Sequence, residues 1–104
     1  MTGRISKRAM DDLRDIWHHI AATDPKAADR LEAKFHASIR RIIAVPGIGH
    51  GRRDVASPSY RFATVRPYVI GYRQVGRTVI VVRVVHGARD FRKLFPPRKP
   101  RRKR

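Results

Sequence analysis

The sequence predicts an α+β domain in which an N-terminal helical hairpin packs on a three- to four-stranded antiparallel sheet, in the order (β)ααβββ. Apolar residues recur at helical spacing before residue 46, and three segments after residue 59 are rich in valine, isoleucine and aromatic residues. A run of glycine and proline, Pro46–Gly51, separates these two halves. The 104 residues, of which 41% are hydrophobic, suffice for one domain with one core.

Two amphipathic helices are expected in the first half. Ser6 can cap a first helix over 7–22, and Asp24 followed by Pro25 is typical of the start of a second helix, over 25–45. The residues on the inner faces are Ala9, Leu13, Ile16, Trp17 and Ile20 in the first helix and Ala28, Leu31, Phe35, Ile39, Ile42 and Ile43 in the second. The short turn between the helices predicts a helical hairpin.

Three strands are expected in the second half, over 60–66, 68–75 and 78–86. The connections between them are short enough for hairpins, which predicts antiparallel pairing. The third strand is nearly all apolar, as in a central strand that is covered on both faces. Residues 2–6 can add a short strand at one edge of the sheet.

The basic charge is concentrated after residue 32. The formal net charge is +17, yet residues 1–32 hold six basic and six acidic side chains. Six of the last seven residues are basic, and prolines precede them. We therefore predict a single domain over 1–95 and a disordered basic arm over 96–104. An excess of positive charge favours an acidic partner, which can be a protein or a nucleic acid.

Other features exclude whole classes of site. The chain has no cysteine, which excludes a disulfide scaffold, a thiol nucleophile and a cysteine-based zinc site. His18, His19, His36 and His50 lack metal-ligand spacing, so we expect neither a metal nor another cofactor. No apolar run approaches the ~20 residues of a membrane span, and the first eight residues do not resemble a signal peptide. We therefore expect a cytoplasmic protein with no membrane partner.

Five segments, taken in order, resemble one family of small proteins. They are Ile16–Ala21, Asp24–Arg30, Pro46–Arg52, Tyr68–Arg73 and Arg83–Asp90. Together they make the chain similar to the RelE/ParE superfamily of type II toxin–antitoxin toxins, nearer to the ParE branch.

The resemblance implies a small basic toxin whose partner is a cognate antitoxin with an acidic segment that wraps it. The implied target is DNA gyrase in the ParE branch, or mRNA on the ribosome in the RelE branch, and operator DNA reached through the antitoxin complex is a further candidate contact. RelE-like nucleases usually carry a tyrosine near the C-terminus, whereas no tyrosine follows Tyr72 here. This difference favours gyrase inhibition by binding over mRNA cleavage by an endonuclease. A basic nucleic-acid-binding protein is the remaining alternative.

If the protein is a ribonuclease, His86 is the candidate for proton transfer, because histidine is the side chain that titrates near neutral pH. Arg61, Arg73, Arg83 and Arg89 are then the candidates for stabilising the phosphate. The alternative for His86 is a structural role at a strand end, with its ring hydrogen-bonded to the backbone or to Asp90.

If the protein acts by binding, arginine is suited to the task, because its guanidinium contacts carboxylate or phosphate through two parallel hydrogen bonds. The chain has 19 arginines and six lysines. The candidates for contact with the antitoxin or the target are Arg52, Arg53, Arg61, Arg73, Arg83, His86 and Arg89.

Arg83 interrupts an apolar side of the third strand. Period-two alternation places it on the same side as Val79, Val81 and Val85. A buried guanidinium needs a carboxylate, which predicts a structural ion pair. The candidate partners are Asp12, Asp15, Asp54 and Asp90. The alternative is that Arg83 lines the surface used for the antitoxin or the target.

Overall fold

Two helices form the predicted hairpin. The computed structural model describes residues 2–51, 59–88 and 94–95. In it, α1 spans Lys7–Ala21 and α2 spans Pro25–Ala44. Each boundary lies within one residue of the sequence prediction, because the capping residues fix where the helices begin.

Both predicted N-caps are confirmed. The hydroxyl of Ser6 accepts a hydrogen bond from the backbone N–H of Ala9 at 3.0 Å. The carboxylate of Asp24 accepts one from the N–H of Ala27, also at 3.0 Å. These contacts satisfy N–H groups that have no partner inside the first turn of a helix.

Four strands form one sheet in the order β1–β4–β3–β2. The strands are β1 (Thr2–Ile5), β2 (Arg61–Val65), β3 (Tyr68–Val75) and β4 (Thr78–His86). The antiparallel pairing of β2, β3 and β4 and the inner position of β4 are confirmed. One edge corrects the expectation of a purely antiparallel sheet, since β1 runs parallel to β4. The long connection through both helices allows this parallel pairing.

The sheet buries apolar side chains on both of its faces. On the face toward the helices, called the helix face, the fully buried residues are Ala9, Phe35, Ile39, Ile42, Ile70, Tyr72, Val79, Val81 and Val84. On the opposite face, called the outer face, a smaller cluster is formed by Phe62, Val85 and Phe95. The two clusters explain why β4 is apolar along nearly its whole length.

β4 carries one extra residue opposite β3. Gly71 of β3 pairs with Arg83. The next residue of β3, Tyr72, pairs with Val81. Val82 is therefore left without a partner on β3, which is a β-bulge.

The bulge changes which side chains share a face. Val84 packs in the helix-face cluster and Val85 in the outer-face cluster. The prediction that Val85 lies on the same side as Val79 and Val81 is therefore wrong. Strict alternation cannot anticipate an inserted residue, because a shift by one position moves every later side chain to the other face.

The two helices are also joined by a polar contact at their outer side. The indole Nε1 of Trp17 donates a hydrogen bond to the carboxylate of Asp29 at 3.0 Å. Trp17 is only partly buried, whereas Phe35 is 2% exposed. Within the described ranges, neither helix is both long and apolar enough to cross a membrane.

Candidate functional site

The ion pair expected for Arg83 is present, and Asp12 of α1 is the partner. Nε of Arg83 donates to Oδ2 of Asp12 at 2.8 Å, and Nη2 donates to Oδ1 at 3.1 Å. The two side chains are 13% and 11% exposed. The bidentate geometry fixes the guanidinium plane and ties α1 to β4.

The carboxylate of Asp12 has further partners. Its Oδ2 also accepts a hydrogen bond from the backbone N–H of Val84 at 2.9 Å. Arg8, one helical turn before Asp12, lies 3.9 Å away and is largely exposed. Asp12 thus holds both the side chain of Arg83 and the backbone next to the bulge.

His86 lies exposed at the end of β4. Its ring meets that of Tyr68 edge-on, with the ring centres 5.6 Å apart. The backbone N–H of Ala88 donates to Nδ1 of His86 at 3.1 Å. This is the hydrogen bond between the ring and the backbone that a structural role of His86 predicts. The other ring nitrogen, Nε2, is left to bind a partner.

Arg83 and His86 share an open depression of about 250 Å³ at this end of the sheet. Arg8, Asp15 and Tyr68 also line it. Because arginine and aspartate side chains both line it, the depression can bind a partner with polar groups of both kinds better than it can bind a polyanion.

Arg61 lies in a different place, beside a buried tyrosine. Its Nη1 donates to the carbonyl of Gly49 at 3.1 Å. The hydroxyl of Tyr72 donates to the carbonyl of Pro46 at 2.6 Å and accepts from the N–H of Gly49 at 2.8 Å. Burial raises the pKa of Tyr72, while the Gly49 hydrogen bond and the charge of Arg61 lower it by a smaller amount.

The strand register separates the predicted ribonuclease groups. Arg61 pairs with Tyr72, whereas His86 pairs with Tyr68, four residues away along β3. At about 3.4 Å per residue, this puts the two positions about 14 Å apart along the strand. Arg73 follows Tyr72, whose side chain is on the helix face, so the side chain of Arg73 is directed to the outer face.

The remaining candidates cannot be placed against this geometry. Arg52, Arg53 and Arg89 lie outside the described residues. The same holds for Asp54 and Asp90, the two other acids considered as partners of Arg83, and for the predicted arm over 96–104.

A second groove, of about 140 Å³, runs between the end of α2 and the edge strand β2. Ser38, Arg41, His50 and Thr64 contribute polar groups to it, and Ile48 contributes an exposed apolar side chain. The sequence interpretation missed this groove, because its residues come from three separate elements. The one sequence feature that could have indicated the groove is Arg41, which lies in the last turn of α2 and close in sequence to the glycine-rich turn.

The charge of the described residues is segregated. All of their acidic side chains lie between residues 11 and 32, and the described residues from 33 onward contain none. The charged side chains that the described part of the sheet and the end of α2 contribute are thus all positive. Within the same ranges, no three side chains of histidine, aspartate or glutamate gather in a metal site, and use of no cofactor stays a prediction.

A model of a known family matches most of the chain. The family is described as the ParE toxin of type II toxin–antitoxin systems, and the match covers residues 4–91. The chain belongs to this family. The RelE/ParE resemblance seen in the sequence is confirmed, and so is the fold class.

Two relatives agree with this assignment. Toxin RelE1 of Caulobacter vibrioides is 31% identical over 87 residues, covering 80% of this chain and 89% of the relative. A structure described as a chromosomal ParDE toxin–antitoxin system from P. aeruginosa has a TM-score of 0.72 at 21% identity. It covers 83% of this chain and 95% of the matched chain, so it supports the fold.

Membership in the ParE family makes this chain the toxin of a type II toxin–antitoxin pair. It also implies an antitoxin partner. The cytoplasmic location of this chain stays a prediction.

Proposed function

We propose that this ParE-family toxin stops growth by binding DNA gyrase, and that an acidic antitoxin neutralises it. The proposal rests first on the family, whose description names the ParE toxin. A toxin that acts by binding needs a shaped and charged surface, and it needs no group for proton transfer.

Binding is favoured over cleavage because the arginines that a ribonuclease would use are not gathered around one point. Cleavage of RNA needs a proton-transfer group and cations around the same phosphodiester. Here Arg61 lies opposite the middle of β3 and His86 opposite its first residue, four positions away, and Arg73 belongs to the other face of the sheet. The guanidinium of Arg83 is already occupied by Asp12. The described candidates therefore do not converge on one substrate atom.

The second candidate function is cleavage of mRNA on the ribosome. A relative at 31% identity is named RelE1, and His86 is exposed with one ring nitrogen open. A ribosome can also supply catalytic groups that the toxin lacks.

The first experiment is induction of the chain alone in a bacterial host. We expect growth arrest, and we expect growth to return when the acidic protein encoded beside it is co-expressed. Normal growth without any antitoxin would overturn the assignment as an active toxin.

The second experiment separates the two targets. The proposal predicts loss of supercoiling by purified gyrase in the presence of the toxin, with cellular transcripts intact. It also predicts that transcripts stay intact whether the wild type, His86→Ala or the matched control His19→Ala on the exposed side of α1 is induced. New transcript ends within translated frames that disappear in His86→Ala would instead establish the nuclease.

A further inference from the structure

The outer face of the sheet is covered at one end and exposed at the other. At the covered end, Phe62, Val85 and Phe95 pack together. At the other end, toward the turn between β3 and β4, both Arg4 of β1 and Arg73 of β3 are exposed. We call this second part of the outer face the open end, and its side chains are those of Thr2, Arg4, Arg73, Val75, Thr78 and Ile80.

Two arginines lie in one row across the open end. The strand register pairs Ile80 of β4 with Arg4 on one side and with Arg73 on the other. The neighbours of Ile80 along β4, Val79 and Val81, are buried on the helix face, so the side chain of Ile80 is directed to the outer face. Paired residues of adjacent strands carry their side chains on the same face. Arg4, Ile80 and Arg73 therefore form a row on the outer face, called the arginine row.

A second row, nearer to the turn, supports this assignment. Thr78 of β4 pairs with Thr2 of β1 and with Val75 of β3. The hydroxyl oxygens of Thr2 and Thr78 lie 3.1 Å apart, so these two side chains are on the same side of the sheet. Arg4 follows Thr2 by two residues, and period-two alternation places it on that side as well. The open end thus carries two hydroxyls beside two guanidiniums.

The spacing of the arginine row matches the spacing of phosphates in DNA. Neighbouring strands lie about 4.8 Å apart, so two strand spacings put Arg4 about 10 Å from Arg73. Phosphates of one DNA strand recur about every 3.4 Å along the helix axis, and 10 Å therefore corresponds to about three base steps. Arg77, in the turn beside the row, is also exposed and adds a third positive charge.

The charges of the arginine row and of Arg77 are not neutralised within the described part of the chain. The ion pairs of that part are made by Arg8 and Arg83, both with Asp12. Every acidic side chain in the described ranges lies in α1, in α2 or at the N-cap of α2, on the other side of the sheet. The open end therefore has the charge that a polyanion requires.

The side chains of the open end favour duplex DNA over other acidic partners. Single-stranded nucleic acid is bound largely by stacking of bases on aromatic side chains, and protein partners are anchored mainly by large aromatic residues. None of the six side chains of the open end is aromatic. Contacts with the phosphates of a duplex need only cations and hydroxyl groups, which the two rows supply.

A second copy of this chain is a poorer occupant. The acidic side chains that it could offer lie within its first 32 residues, and six basic side chains accompany the six acidic ones there. That part of a second copy has no net charge with which to attract the arginine row.

We propose that the open end of the outer face binds the phosphate backbone of duplex DNA, with the guanidiniums of Arg4 and Arg73 on two phosphates of one strand. Arg77 adds a third contact at the end of the sheet. The contact includes no base edge, so it does not depend on the DNA sequence. It goes beyond the proposed function, because the toxin then has a DNA site of its own whether or not gyrase is its target.

The first test measures binding of the full chain to a short fluorescently labelled duplex, by anisotropy over a range of salt concentrations. We expect the affinity to fall as salt rises, because each neutralised phosphate releases counterions. Arg4→Gln combined with Arg73→Gln should weaken binding about tenfold or more at about 0.1 M salt. The same double variant should make the plot of log affinity against log salt shallower by about two units of slope.

Arg30→Gln combined with Arg40→Gln is the matched control, because it removes two charges from exposed positions of α2. Charges beyond the Debye length of about 10 Å are largely screened, so this control should weaken binding by less than about threefold. Both double variants keep the basic residues after residue 96, whose attraction to DNA is therefore common to both. Equal losses in the two double variants would overturn the proposal.

A conservative variant separates charge from structure. Arg4→Lys combined with Arg73→Lys keeps both positive charges and should retain the salt dependence of the wild type. Circular dichroism checks that each variant is folded. A lysine variant that is folded and yet binds as weakly as the glutamine variant would contradict a contact with phosphates through charge.

Chemical shifts of the 15N-labelled full chain locate the site. On addition of the duplex, the amides of the arginine row and of Arg77 should shift, while those of Arg30 and Arg40 should not. Shifts centred on the helical hairpin or on His86 would overturn the proposal.

Competition experiments identify the occupant. Two duplexes of unrelated sequence should bind within about twofold of each other, and a tenfold preference for one of them would contradict contacts with phosphates alone. A single-stranded RNA, or a glutamate-rich peptide of the same charge, that binds the arginine row more tightly than the duplex would overturn the proposal. Self-association that Arg4→Gln with Arg73→Gln abolishes, without binding of the duplex, would make a second copy the occupant and overturn it as well.

A supercoiling assay with purified gyrase keeps this proposal apart from the proposed function. A toxin that binds the duplex at the arginine row but leaves supercoiling unchanged would contradict gyrase inhibition and leave the DNA site intact. Inhibition of gyrase by a toxin that does not bind the duplex at this row would overturn the DNA site alone.

Discussion

The guanidinium of Arg83 and the carboxylate of Asp12 form a two-bond ion pair, at 2.8 and 3.1 Å, across 71 residues of sequence. The pair joins the first helix to the inner strand of the sheet next to the bulge. Both side chains are largely removed from solvent, so either one left alone would be a poorly solvated charge.

Asp12→Ala should therefore destabilise the fold by about 3–5 kcal/mol, because it leaves the Arg83 charge and the Val84 N–H without their acceptor. Urea denaturation at neutral pH measures the loss. Asp15→Ala is the matched control on the exposed side of the same helix and should change stability by less than about 0.5 kcal/mol. Equal losses in the two variants would show that the pair contributes little.

Tyr72→Phe should cost about 1–3 kcal/mol, because the buried N–H of Gly49 and the carbonyl of Pro46 lose the hydroxyl that joins them. The same denaturation measurement applies. Tyr68→Phe is the control, since no hydrogen bond to the hydroxyl of Tyr68 occurs among the described residues, and it should be nearly neutral. A neutral Tyr72→Phe would mean that the turn at Pro46–Ile48 does not depend on this hydroxyl.

The raised pKa of Tyr72 predicts a loss of stability at alkaline pH. In the unfolded chain Tyr72 ionises near its ordinary value of 10.0, whereas burial keeps it protonated to higher pH in the folded protein. The folded state then binds more protons, so the free energy of unfolding falls as the pH rises above about 10. Denaturation curves between about pH 9 and pH 11 should show a shallower fall in Tyr72→Phe than in the wild type. Parallel curves would contradict this account.

Gly71 is expected to tolerate no side chain. A Cβ built on Gly71 collides with the ring of Phe95, which is itself fully buried and packs edge-on against Phe62. Gly71→Ala should cost about 1–3 kcal/mol by overpacking. Gly47→Ala, where a Cβ meets no other atom within 4 Å, is the matched control and should be neutral or slightly stabilising.

A double-mutant cycle tests whether Phe95 is the obstacle. Phe95→Ala alone should cost about 3–5 kcal/mol, because it empties the centre of the outer-face cluster. In the Phe95→Ala background, Gly71→Ala should cost much less than it does in the wild type. Strict additivity of the two losses would place the strain elsewhere.

The helices and strands could be predicted from the sequence because each depends on residues within or next to it. Ser6 and Asp24 cap the helices that they were predicted to cap, and the content of valine, isoleucine and aromatic residues locates β3 and β4 to the residue. The parallel pairing of β1 was not predictable in this way. It depends on which edge of the sheet the chain returns to, and four residues at the start carry no signal about that.

The candidate site is less predictable for a physical reason. The sequence shows which side chains can bind an anion. Which of those side chains lie close together depends on the pairing register of the strands. Arg83 was expected to need a carboxylate and has one, whereas the separation of Arg61 from His86 is set by hydrogen bonds along β3. The groove at Arg41 depends on three elements at once and has no linear pattern.

The contact between Trp17 and Asp29 has a practical consequence, because the protein contains a single tryptophan. Its tryptophan fluorescence therefore reports on the surroundings of Trp17, at the junction of the two helices. A partner that wedges into the hairpin must alter the emission, and a strand that lies along β2 should leave it unchanged. A fluorescence titration with the antitoxin can therefore distinguish binding at the helical hairpin from binding along β2, without a structure of the complex.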